Sequence, residues 1–109
     1  MASKLGGFVV QHQYAVSPNE LELLLERLGH VREWLYDLGI ANYELWQDSE
    51  RPGHVNEVIV YDSWSHYMRL NQKTLSPKLK EVYDDLSRLI DGGFESVQTR
   101  QWEPLDLGR

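Results

Sequence analysis

Two Ser-Pro pairs, Ser17-Pro18 and Ser76-Pro77, each open a run of apolar residues at three- and four-residue spacing, and a Pro-Gly turn at Arg51-Pro52-Gly53 lies between them. A serine that can cap, followed by a proline whose fixed φ suits the first helical position, is a helix start. After the first start, Leu21, Leu24, Leu25, Leu28, Val31, Leu35 and Leu38 fall on one stripe, and Gly39 is a natural stop. Glu20 stands where a capping-box partner of Ser17 would stand. After the second start, Leu79, Val82, Tyr83, Leu86, Leu89 and Ile90 share one side until Asp91-Gly92-Gly93.

The segments around these helices read as strands. Residues 7–16, "GGFVVQHQYAV" less its first glycine, are rich in Val, aromatic and amide side chains, and residues 40–50 and 54–62 flank the Pro-Gly turn as a hairpin. Ser63 or Asp62 can cap a short helix over residues 64–71, and residues 94–102 supply a last strand before a tail over residues 103–109. The order is β-α-β-β-(short α)-α-β. Right-handed crossovers around a hairpin turn that order into an α+β, ferredoxin-like domain over residues 1–109, a four-stranded antiparallel sheet with helices on one face. In the first strand Phe8, Val10, His12 and Tyr14 point one way and Val9, Gln11 and Gln13 the other. A sheet face that helices leave bare and that still carries bulky side chains needs a partner, so a homodimer is expected.

Composition removes several functions. With 17 acidic and 11 basic residues the net charge is -6, which opposes phosphate-driven nucleic-acid binding. The absence of cysteine excludes disulfides, thiolate metal sites and thiol nucleophiles. The first residues hold too short an apolar run for a signal peptide, and no stretch approaches a membrane span, so a cytoplasmic protein without membrane contact is expected. His12, His30, His54 and His66 have no ligand spacing, so no metal site is expected; Gly6-Gly7 and Gly92-Gly93 do not form a phosphate loop.

The chemistry-bearing residues cluster where the third strand meets the short helix, in "NEVIVYDSWSHYMRLN". Tyr61, Trp64, His66 and Tyr67 are either core residues at a strand-to-helix corner or the wall of a pocket for a flat apolar ligand. Glu57 shares a strand face with Ile59 and Tyr61, and a carboxylate in such a strand requires a partner, with Arg100 and His12 as the candidates. If His12 faces the pocket with Glu57, the two have the makings of a general base oriented by a carboxylate; otherwise His12 is a satisfied sheet histidine. His30 and His54 read as surface residues.

Residues 43–72, "YELWQDSERPGHVNEVIVYDSWSHYMRLNQ", resemble the dimeric α/β-barrel proteins related to antibiotic-biosynthesis monooxygenases, including the similar domain at the end of some transmembrane secretion effectors. The resemblance rests on Tyr43, Leu45, Trp46, Asp48, Pro52, Glu57, Ser63 and Trp64, with the Ser17-Pro18 start and the closing strand. It implies a homodimeric α/β barrel that oxygenates an electron-rich aromatic of the polyketide-phenol type without a cofactor. His12 or His66 would be the base and Glu57 its orienter, while Trp46, Tyr61, Trp64, Tyr67 and Asn71 would bind substrate. Relatives place histidine at one or both helix positions that here hold Tyr67 and Asn71, and this chain has His66 one residue before Tyr67. The haem-degrading branch resembles the first strand, yet the last helix offers no histidine to ligate iron, so no haem is expected. A non-catalytic ligand-binding or dimerisation module on the same fold is the alternative, which a pocket filled by its own Trp and Tyr side chains would favour.

Overall fold

In the computed structural model, which describes residues 7–108, the chain runs β1 (Phe8–Ala15), α1 (Leu21–Asp37), β2 (Asn42–Gln47), β3 (His54–Tyr61), α2 (Trp64–Asn71), α3 (Pro77–Leu89) and β4 (Gln98–Trp102). Residues 1–6, where the signal-peptide reading falls, and Arg109 at the end of the expected tail lie outside the described residues. The sheet has the order β2-β3-β1-β4 with every neighbouring pair antiparallel, which is the ferredoxin-like α+β fold. Among the described residues no helix is long and apolar enough to cross a membrane.

Strand alternation sorts side chains as the sequence requires. Phe8, Val10 and Tyr14 of β1 and Val55, Glu57, Ile59 and Tyr61 of β3 are buried under the helices. Leu24, Leu28, Val31 and Leu35 of α1 and Val82, Leu86 and Leu89 of α3 close that core from above. Arg27 Nε donates to Asp85 Oδ2 at 2.8 Å and ties α1 to α3. The other sheet face bears Val9, Val58 and Val60 with Gln11, Gln13 and Asn56, flanked by Trp46 on β2 and Trp102 on β4. Those tryptophans are 59% and 48% exposed, so among the described residues nothing covers this face.

Three element ends and one helix-face position depart from expectation. Pro18–Glu20 forms a 3-10 turn, and Glu20 N–H donates to the Ser17 carbonyl at 2.8 Å. That bond takes the donor a capping box needs, so Ser17 makes no side-chain cap and α1 begins only at Leu21. Leu25 is 48% exposed because it lies roughly 90° round the helix from the Leu24-Leu28-Val31-Leu35 stripe at 3.6 residues per turn. β2 stops at Gln47, because the next residue, Asp48, accepts from Glu50 N–H and Arg51 Nε and starts the turn. β4 begins at Gln98 rather than residue 94, since Phe94–Ser96 winds into a 3-10 turn held by Ser96 Oγ donating to the Asp91 and Gly93 carbonyls.

The remaining signals hold. Ser63 Oγ accepts from His66 N–H at 3.0 Å and Ser76 Oγ from Leu79 N–H at 3.2 Å, so both later helices carry the caps their sequences announce. Gly53 has φ 89°, and a Cβ there would collide with the Val16 carbonyl oxygen, where the hairpin turn crosses the end of β1.

Candidate functional site

Glu57 sits near the middle of β3, opposite His12 of β1 on one side and Leu45 of β2 on the other. Its diagonal neighbours on the same face are Tyr14, paired with Val55, and Tyr43, paired with Ile59. The side chain is therefore surrounded by aromatics, with only 7% of its surface exposed. The partner that burial demands is Tyr43, whose hydroxyl donates to Glu57 Oε2. Neither expected partner takes that place. Arg100 lies opposite Gln11 on the bare sheet face, and His12 Nδ1 shares a hydrogen bond of 3.0 Å with Thr99 Oγ1 on β4.

A cavity of about 620 Å³ opens between the sheet and the helices above these residues. Its sheet side is His12, Tyr14, Glu57, Ile59, Tyr61 and Thr99. The helices contribute Trp34, Tyr67, Tyr83 and leucines, and Phe94 from the last 3-10 turn packs edge-on to Tyr83 with ring centroids 6.3 Å apart. Asn71 and Lys73, both exposed, also line the cavity and mark its rim. The volume is that of a small-molecule site, and the wall is apolar and aromatic with few polar groups.

The electrostatics follow from burial. Desolvation pushes the Glu57 carboxyl up to about 7, with the Tyr43 hydrogen bond pulling the other way. Burial lowers His12 below the ordinary imidazole value, which keeps the ring neutral at neutral pH. Desolvation first and the Glu57 charge second raise Tyr14, and raise Tyr83 to about 12, so these phenols remain protonated donors. A carboxyl balanced between its two forms near neutrality, beside a neutral imidazole and protonated phenols, can accept and return a proton at physiological pH.

Of the residues singled out from sequence, the cavity brings together His12, Glu57, Tyr61, Tyr67 and Asn71. Three stand outside it. Trp46 points to the bare sheet face, where its Nε1 donates to Glu44 Oε1. Trp64, at the start of α2, is 57% exposed. His66 is buried against the end of α1, with Nε2 3.2 Å from the Leu38 carbonyl and its ring edge-on to Tyr61, and it does not line the cavity. Tyr67 packs under the sheet, 5.0 Å from Tyr61 and 5.3 Å from Phe8 by ring centroids, whereas Trp64, one turn earlier at the first position of α2, stays exposed. Tyr14, Tyr43, Tyr83 and Thr99 have no site role in the sequence reading, although Tyr43 is one of the residues that carry the resemblance. Tyr14 was visible in the β1 alternation with His12, and Tyr83 in the α3 stripe; the Tyr43 bond to Glu57 depends on cross-strand register alone. Among the described residues no three His, Asp or Glu side chains gather closely enough to hold a metal ion.

No protein-family model matches the chain, and no curated protein matches it by sequence. Solved structures do match it in fold. A conserved protein from Methanosarcina mazei superposes with TM-score 0.74 at 15% identity, over 94% of this chain and 97% of that one. An antibiotic biosynthesis monooxygenase gives 0.70 at 11% identity, over 91% and 99%. SnoaB, a cofactor-independent oxygenase from Streptomyces nogalater solved as a point mutant, gives 0.67 at 12% identity, over 95% and 99%. The chain has the ferredoxin-like fold of the antibiotic-biosynthesis-monooxygenase-like proteins, nearly end to end.

Proposed function

We propose that this chain, sharing that fold, works as a homodimer that binds a flat, electron-rich aromatic in the sheet-helix cavity and oxygenates it with molecular oxygen alone. The observation that carries the reading is Glu57: a carboxyl held near 7 at the base of an open cavity, within an otherwise apolar and aromatic wall. An apolar surround is wasteful for a structural carboxylate, and among the described residues the side-chain hydrogen bond to this carboxyl comes from Tyr43 alone, on Oε2. It suits a base whose substrate is a carbon acid, because desolvation strengthens the base and excludes competing water.

In the proposed reaction Glu57 takes a proton from a ring CH2 acidified by a conjugated carbonyl or phenol. The carbanion passes one electron to oxygen, and the resulting radical pair combines to a peroxide. Protonation of the peroxide, with Glu57 returning its proton through or beside His12, and loss of water leave a ring carbonyl. The balance is CH2 plus O2 to C=O plus H2O, so no external reductant is needed. Relative to the sequence reading the roles change: Glu57 is the base, oriented by Tyr43, and His12, held by Thr99, is a neutral donor and acceptor opposite it. Tyr61 and Tyr67 shape the wall, and Asn71 meets the ligand at the rim.

The likeness to SnoaB in fold and the unfilled cavity both support this reading over a module packed shut by its own aromatics. The test is oxygen uptake by the purified protein with anthrone-type phenols, alongside Glu57→Gln. Uptake stoichiometric with quinone formation, lost in Glu57→Gln while binding persists, is expected. Tight binding without any oxygen consumption by the parent protein would assign the chain to ligand binding instead.

A further inference from the structure

Among the described residues three buried side-chain polar atoms lack a hydrogen-bond partner: the Tyr14 hydroxyl, Asn56 Oδ1 and His66 Nδ1. Only Tyr14 belongs to a residue lining the large cavity. Leaving a buried donor unmade costs stability, and the same chain pairs the neighbouring Tyr43 hydroxyl with Glu57. Tyr14 is also the diagonal cross-strand neighbour of Glu57, near enough for the carboxylate charge to act on its hydroxyl.

We infer that Tyr14 binds the substrate's oxygen, its hydroxyl donating to a carbonyl or phenol oxygen conjugated with the C–H bond that faces Glu57. The inference rests on the proposed deprotonation at Glu57 and adds to it the residue that receives the displaced charge. In that step the C–H bond breaks, an O–H bond forms on Glu57, and the electron pair moves into the conjugated system and onto the substrate oxygen. The net charge inside the cavity is unchanged, because the negative charge leaves the carboxylate as it arrives on that oxygen. A fixed donor at the point of arrival is what stabilises such a transfer. Burial and the nearby carboxylate keep Tyr14 protonated throughout, so it donates without itself ionising.

The same geometry excludes other ligands. Among the described lining residues the one permanent cation is Lys73, which is exposed at the rim. Nothing cationic stands at the depth of Glu57 and Tyr14 to hold a phosphate or carboxylate there. The ligand that fits is thus neutral, with a carbonyl or phenol oxygen for Tyr14 conjugated to the acidic C–H bond that faces Glu57.

Anaerobic binding of anthrone and of anthracene, its oxygen-free counterpart, to the parent protein and to Tyr14→Phe tests this. Phenylalanine keeps the buried ring and removes the unpartnered atom, so the variant is expected to unfold no earlier than the parent. Anthrone affinity should fall up to about tenfold in the variant, the magnitude of one lost hydrogen bond to the ligand's oxygen, while anthracene binds both proteins within about twofold. A Tyr14-dependent anthrone affinity in a protein that consumes no oxygen would uphold this inference and remove the oxygenase reading. Equal losses for both ligands, no loss for either, or no binding of anthrone by the parent would overturn it, as would unchanged turnover in a variant of an active enzyme.

Discussion

At the scale of single residues, Glu57 carries both the proposed chemistry and a stability cost. Its folded-state pKa is raised from 4.5 to about 7, so the folded state holds the proton more tightly than the unfolded chain. The group therefore costs nothing below pH 4.5, costs progressively more as pH rises through about 7, and carries its full penalty above that. At ~1.4 kcal/mol per pKa unit the full penalty is about 3 kcal/mol. Glu57→Gln should thus be more stable than the parent by up to about 3 kcal/mol at pH 8, equal to it near pH 4, and inactive; urea denaturation at the two pH values checks this. The comparison must be made variant against parent at each pH, because His12, with its lowered pKa, adds a loss of stability on the acid side of 6.5. Tyr14, Tyr43, Tyr61 and Tyr83 also act with or on Glu57, and all four are pushed upward and stay neutral through this range. Tyr43→Phe removes the bond that lowers the Glu57 pKa, so the midpoint of the activity profile should move to higher pH. A midpoint that stays in place would mean that Tyr43 does not tune the carboxyl.

At the scale of elements, the two Ser-Pro starts look alike in sequence and differ in structure. Ser76 caps α3 through its side chain, whereas Ser17 makes no such bond because a 3-10 turn has taken the donor. Ser76→Ala should cost about 1 kcal/mol and Ser17→Ala less than about 0.5 kcal/mol, measured by thermal or chemical unfolding. Equal costs would show that the turn at Pro18 depends on the serine hydroxyl after all. Leu24, fully buried on α1, should cost about 2–5 kcal/mol as Leu24→Ala. Leu25, one position on and half exposed, should cost far less as Leu25→Ala. His66 belongs to this scale too. By hydrogen-bonding the Leu38 carbonyl it fastens α2 to the end of α1, so His66→Ala is expected to lower stability rather than slow a reaction step.

At the scale of the whole molecule, the helices cover one face of the sheet and leave the other to Val9, Val58, Val60, Trp46 and Trp102. A second copy laid face to face would remove these side chains from water. Light scattering at micromolar concentration should give the mass of a dimer, and Val58→Lys at the centre of the face should give a monomer that keeps its far-ultraviolet spectrum. A parent protein of monomeric mass would end the dimer proposal.

The fold was legible because its signals are local. Period-2 alternation in "FVVQHQY" and "HVNEVIVY", leucines at three and four, and Gly53 in the turn each act over a few residues, and chain order with right-handed crossovers leaves little choice of topology. Alternation also placed Glu57, Ile59 and Tyr61 on one face with their neighbours on the other. The site was legible in part: His12, Glu57 and Tyr61 on the strands and Tyr67 and Asn71 on α2 line the cavity, while Trp46, Trp64 and His66, adjacent to them in sequence, turn elsewhere. Which group satisfies Glu57 was not written in any segment. Tyr43 and Thr99 take the bonds to Glu57 and His12 because the registers of β2 on β3 and of β4 on β1 bring them within reach, and register is set by packing of the whole sheet under the helices. Burial, and with it the carboxyl's shift toward neutrality, arises only when α1 and α3 close over the sheet.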